Sequence, residues 1–100
     1  MVIVGGTFEF DPGQRQLFID SRMEMMRTSR AEPGCLEYSF CPDPLDASRV
    51  VLYERWESQD ALDAHILALR AAPPSPDAEI KPITASVMIY DVSGERRIGR

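Results

Sequence analysis

Glu32-Pro33-Gly34-Cys35-Leu36-Glu37-Tyr38, continued by Leu52-Tyr53-Glu54-Arg55-Trp56 and by Ala61-Leu62-Asp63-Ala64-His65, encodes a turn, two neighbouring strands and a helix in one block. Pro33-Gly34 stops the preceding helix and starts a strand from Cys35 to Cys41, in which Leu36, Tyr38 and Phe40 alternate with Cys35, Glu37 and Ser39. The breaker-rich run Pro42-Asp43-Pro44-Leu45-Asp46 turns the chain. A strand from Arg49 to Trp56 then returns antiparallel beside the first. Ser58 caps a helix from Gln59 to about Ala72, with Asp60 and Asp63 near its positive end. Leu62, His65, Ile66 and Leu69 form its apolar stripe. The block holds the chain's one tryptophan and one histidine, which this arrangement brings close enough to share a pocket.

Upstream, Val2 to Phe10 alternates as a strand, and Gly5-Gly6 inside it predicts a bulge or a close backbone approach. Asp11-Pro12-Gly13 ends that strand, with Asp11 as N-cap and Pro12 at the first position of a helix from Gln14 to about Ala31. Phe18, Ser21, Arg22, Met25 and Ser29 recur at helical spacing, and Leu17, Met23 and Met26 widen the apolar side. Downstream, Pro73-Pro74-Ser75-Pro76 ends the second helix, a short helical turn fits Asp77 to Ile80, and a last strand runs from Ile83 to Val92.

The order β-α-β-β-α-β predicts an α+β, ferredoxin-like fold: a four-stranded antiparallel sheet with helices on one face. Residues 1–92 form one domain, and 93–100 form a polar tail expected to be mobile. The uncovered face does not alternate cleanly between apolar and polar. The Arg49–Trp56 strand carries Val51 and Tyr53 opposite Val50, Leu52 and Trp56; the last strand carries Met88 and Tyr90 opposite Ile83, Ala85, Val87 and Ile89. Such a face needs a partner, and a homodimer joined sheet on sheet is expected.

A net charge of −5 argues against a nucleic-acid or anionic-membrane surface. With 44% hydrophobic and 27% charged residues, the chain is too apolar for disorder. No basic and apolar leader precedes the first strand, and no apolar run reaches the roughly 20 residues of a membrane span. Cys35 and Cys41 share a strand, which places them roughly 20 Å apart, beyond disulfide reach. Unpaired cysteines fit a reducing, cytoplasmic setting.

No phosphate loop, nucleophile motif or zinc spacing is present. The chemistry therefore rests on a pocket in which Tyr38, Phe40 and Trp56 surround His65, the side chain best suited to move a proton near neutral pH. Each of these residues also has a structural reading. His65 can be a core residue bonded to a carboxylate or to backbone, and Trp56 a core anchor. Glu54 and Arg55, on opposite faces of their strand, can be ion-pair partners, and Cys35 a small buried hydrophobe. The methionines suit either an irregular core or an adaptable pocket wall.

The three quoted segments resemble the antibiotic biosynthesis monooxygenase family, and the resemblance extends over nearly the whole chain. It implies a dimeric α+β barrel. Family activities include cofactor-independent oxygenation of quinols and anthrones, haem degradation, and sugar-phosphate processing in quorum-signal breakdown. The chain departs from two family patterns. A second histidine found in many quinol-oxidising members is replaced by the stretch Ala71-Ala72-Pro73-Pro74. The axial histidine and first-strand asparagine of haem-degrading members are absent. The resemblance implies a monooxygenase acting on a hydroquinone- or anthrone-like aromatic. Molecular oxygen is the co-substrate, with no metal or organic cofactor. His65 is the expected base or donor, with Trp56, Tyr38, Phe40, Met25 and Arg22 around the substrate. A small-aromatic-binding dimer without activity, and a sugar-phosphate isomerase or lyase, are the alternatives.

Overall fold

The computed structural model describes residues 1–73 and 80–99. Its elements are β1 (Val2–Glu9), α1 (Gln14–Ser21), α2 (Met23–Arg30), β2 (Cys35–Pro42), β3 (Arg49–Trp56), α3 (Gln59–Ala71) and β4 (Thr84–Asp91). The strands form one antiparallel sheet in the order β2-β3-β1-β4, the ferredoxin-like arrangement. Alternation decides which face is covered. Val2, Val4, Tyr38, Phe40, Val50, Leu52 and Trp56 are buried beneath the helices together with Phe18, Ile19, Met26 and Leu62. A chain of aromatic contacts runs through this core, from Phe10 against Phe18 at 4.5 Å to Phe40, Tyr38 and Trp56.

The first helix is not continuous. Ser21 Oγ donates back to the Phe18 carbonyl at 2.6 Å and accepts from the Arg22 guanidinium, and Arg22 itself leaves helical geometry at φ −100°, ψ 3°. Back-bonding serines bend helices. Across the break the buried side stays continuous, with Phe18 and Ile19 in α1 and Met26 and Ser29 in α2, while Leu17 and Met23 face solvent. The start of α1 also differs from expectation. Gly13, at φ 89°, takes the N-cap position without a side-chain cap, and Asp11 instead accepts from Gln14 N through its carbonyl. At α3 the expected cap is present: Ser58 Oγ accepts from Ala61 N at 3.1 Å, an interaction typically worth about 1 kcal/mol.

Two other local expectations change. Phe10 lies beyond β1 yet is fully buried, its N–H donating to the Ser48 carbonyl. Gly5-Gly6 produces no bulge, since β1 pairs in unbroken register on both sides. It is instead a close approach: a Cβ on Gly6 would sit 2.9 Å from Val87 Cγ2. The sheet irregularity lies between Cys35 and Glu37. The extra residue reverses the expected parity, leaving Leu36 exposed and Cys35 against the core. Pro74 to Pro76, and most of the turn expected from Asp77 to Ile80, lie outside the described residues.

Helices α1 and α2 contact β2, and α3 contacts β3. Over β4 this layer is open, with Val87 45% and Ile89 48% exposed. On the opposite face Tyr53, Met88 and Tyr90 are exposed as well.

Gly34 is the tightest joint in the fold. It adopts φ 82°, its carbonyl accepts from Glu57 N at 2.8 Å, and a Cβ there would lie 2.6 Å from Ala61 Cβ. Gly13 has a similar φ but open space around it. Gly13→Ala should therefore cost only the left-handed backbone penalty of about 1–2 kcal/mol. Gly34→Ala should cost roughly 2–4 kcal/mol, because overcrowding adds to the same penalty. Urea denaturation of both variants separates the two contributions; equal losses would show that the Ala61 contact relaxes freely.

Candidate functional site

Three elements converge on His65. Helix α3 places it on the buried stripe, one turn after Ala61, and leaves it 2% exposed. Strand β3 brings Trp56 beneath it, with ring centroids 4.7 Å apart, and β2 brings Tyr38 to its edge at 5.2 Å. The link leading out of α2 supplies Glu32, whose two carboxylate oxygens lie 3.1 and 3.2 Å from His65 Nδ1. A carboxylate only accepts, so Nδ1 carries a proton, and the tautomer this selects has its lone pair on Nε2. Nε2 has no hydrogen-bond partner among the described residues.

Beside this group lies a cavity of about 370 Å³, lined by Val4, Met25, Tyr38, Phe40, Leu52, Glu54, Leu62, His65, Ile66, Leu69, Val87 and Ile89. The gap between α3 and β4 forms its open side, where Leu69, Val87 and Ile89 are partly exposed. The lining is apolar apart from Tyr38, Glu54 and His65 and contains no lysine or arginine. Burial, with the Glu54 carboxyl second, pushes the Tyr38 phenol well above its usual range. Tyr38 therefore keeps its proton, and its hydroxyl donates to the weak acceptor Met25 Sδ at 3.5 Å.

Four of the six expected residues, His65, Tyr38, Phe40 and Met25, line this cavity. Trp56 lies behind it, fully buried, positioning its neighbours rather than facing a ligand. Arg22 is not brought to the cavity: its guanidinium stacks over the Phe18 ring at 4.6 Å. Glu54 and Glu32 are the residues that sequence reasoning passed over. Glu54 is not an ion-pair partner; at 6% exposure it accepts from Trp56 Nε1 at 2.9 Å. Its parity with Leu52 and Trp56 on β3 was the available signal. Burial raises its carboxyl above the ordinary value, partly opposed by the Trp56 hydrogen bond. Cys35 and Cys41 are both free thiols, and burial followed by the charge of Glu32 raises Cys35 away from reactivity.

Among the described residues no group of three or more metal-ligating acidic, histidine or cysteine side chains is assembled, and no helix is long and apolar enough to cross a membrane. Residues 1–66 match the family model described as antibiotic biosynthesis monooxygenase. The chain is 30% identical over 95 residues to the uncharacterised Synechocystis protein sll1783, covering 92% of this chain and 63% of that protein. It thus spans less than two thirds of that relative's length. Among solved structures, Rv0793 of Mycobacterium tuberculosis is 28% identical, with 96% of this chain and 98% of that one covered at a TM-score of 0.71. A candidate antibiotic biosynthesis monooxygenase of Deinococcus radiodurans shares the fold over the full length of both chains at a TM-score of 0.82 and 20% identity.

The raised Glu54 carboxyl makes a signed prediction. Below its ordinary value of 4.5 the group is protonated in both the folded and the unfolded chain. Above that value the unfolded chain releases the proton while the folded one retains it, so stability falls as pH rises toward the folded-state pKa. Glu54→Gln should remove this contribution. Urea midpoints of the two proteins should run parallel below 4.5 and diverge in favour of the variant above it. Parallel midpoints across the whole range would mean that the carboxyl ionises in place as readily as in water.

Proposed function

The chain belongs to the antibiotic biosynthesis monooxygenase family, and from that premise we propose that it oxidises an electron-rich hydroquinone- or anthrone-like aromatic with molecular oxygen, without metal or organic cofactor. One observation carries the reading: a buried imidazole, held through Nδ1 by Glu32, stands on the wall of an apolar cavity with its other nitrogen unengaged. The absence of lysine and arginine from that lining speaks against a sugar-phosphate substrate, which needs cations to hold it.

The chemistry asks little of the protein. Nε2 of His65 takes the proton of a phenol or of an activated methylene, and Glu32 stabilises the imidazolium that forms. The resulting anion is electron-rich enough to reduce oxygen itself. For a methylene the balance is R₂CH₂ + O₂ → R₂C=O + H₂O: two C–H bonds break, one oxygen atom enters the product, and the other leaves as water after protonation. The Tyr38 hydroxyl is a donor for the developing negative charge, and the apolar walls keep water from the reactive anion.

The reading includes a homodimer joined through the open sheet face, where Tyr53, Met88 and Tyr90 are exposed, and a cytoplasmic location that suits two free thiols.

Oxygen uptake measured with a panel of hydroquinones and anthrones, with no cofactor added, tests the activity. His65→Ala should lower turnover roughly 10²- to 10⁴-fold, the usual contribution of a positioned base. Full turnover in that variant would remove His65 from the mechanism, and no uptake above autoxidation would leave a binding protein on this fold. Tyr90→Glu, measured by analytical ultracentrifugation, should shift the dimer to monomer. An unchanged sedimentation coefficient would place the interface elsewhere.

A further inference from the structure

Glu54 presents an unusual balance of contacts. Its place on β3, two residues from Leu52 and two from Trp56, turns it under the helices, where charged side chains are rare without partners. Oε1 is occupied by Trp56 Nε1. Oε2 has no hydrogen-bond partner among the described residues, although Glu54 lines the cavity. It is not among the fully enclosed unpartnered atoms, which are Ser29 Oγ and Arg55 Nε, so this oxygen stays accessible and a ligand group in the cavity can complete its bonding. The cavity therefore presents two polar reading points, His65 and Glu54, carried by α3 and β3.

We propose that Glu54 is the specificity-determining residue of this cavity, holding a second hydroxyl of the substrate through Oε2 while His65 engages the first. This rests on the oxygenase reading, and of the two substrate kinds named there it selects the hydroquinone. The choice of a hydroxyl follows from what the carboxyl can offer. A hydroxyl both donates and accepts, so it pairs with Glu54 whether the carboxyl is ionised or, as burial favours, protonated. An ether or carbonyl pairs only with the protonated form. The Trp56 bond occupies Oε1 and leaves Oε2 as the oxygen available to a ligand.

The test is binding under anaerobic conditions, where no turnover intervenes, of naphthalene-1,4-diol against 1-naphthol, read by quenching of the single tryptophan. The wild type should bind the diol roughly tenfold more tightly, the scale of one well-made hydrogen bond. Glu54→Leu should erase the preference, bringing the two affinities together, and Glu54→Gln should retain it, because the amide still pairs with a hydroxyl. A purely structural role would instead weaken both ligands equally in the leucine variant. Infrared difference spectra give a second measurement that needs no leucine protein. The carboxyl band absent from Glu54→Gln should shift with the diol and stay still with 1-naphthol.

Equal affinities in the wild type, failure of both ligands to bind, or an unshifted band would overturn the proposal. Parallel oxygen uptake keeps the two readings apart. His65-dependent uptake with a diol preference that survives in Glu54→Leu refutes the role of Glu54 alone. A Glu54-dependent preference without uptake refutes the oxygenase and leaves the diol site standing.

Discussion

A missing side chain at residue 34 is the constraint on which the site depends. Gly34 turns the chain from α2 into β2 in a left-handed conformation and lies directly beneath Ala61, where no Cβ fits. That contact sets how closely α3 settles on the sheet. One helical turn beyond Ala61 is His65, and two residues before Gly34 is Glu32, so the same joint fixes both ends of the carboxylate–imidazole pair. A looser approach would separate Glu32 from the ring and leave a buried nitrogen without its partner, a loss usually worth 1–3 kcal/mol. Fold stability and the orientation of the imidazole are thus settled by one local geometry.

The remaining order in the site follows from burial. Trp56, the most enclosed large side chain, has one polar atom to satisfy, and Glu54 satisfies it. The carboxyl is thereby drawn into a region that resists its charge, and the same burial, with the carboxyl second, holds the neighbouring Tyr38 phenol protonated. Three titratable groups are coupled within one apolar space. Each acquires a distinct part: an oriented base, a protonated donor and a carboxyl with one oxygen free.

Much of this was legible in the sequence, for physical reasons that differ by element. Strand β3 was readable to the residue because β-branched and aromatic residues crowd it and a breaker-rich turn precedes it. The Ser58 cap and the inward stripe of α3 were readable because both are local patterns. The interruption at Arg22 was not, since the hydrophobic spacing continues through it and the break is made by a serine hydroxyl choosing a backbone partner. The irregularity after Cys35 left no mark in composition, yet it inverted the side on which Leu36 lies. Glu54 was misread as an ion-pair partner because its true partner, an indole N–H two residues away on the same strand, carries no charge. Arg22 shared a helical face with Met25 in sequence, but it also follows Phe18 by one helical turn, and its guanidinium settles on that ring.

The two outer strands of the sheet are finished differently. On β2, Arg30 donates to the Tyr38 carbonyl at 2.8 Å and to Ser39 Oγ at 3.0 Å, the strand begins with an irregularity, and it ends at Pro42, which has no N–H to offer. These are the devices by which proteins blunt an edge. Strand β4 shows an even register along its full length and carries no proline. Growth of the sheet by added strands is therefore one-directional. Two copies meeting edge to edge must do so β4 to β4, and the composite sheet they form is bounded on both sides by a blunted β2. Such an assembly closes upon itself at two chains and has no free end from which a fibre could propagate.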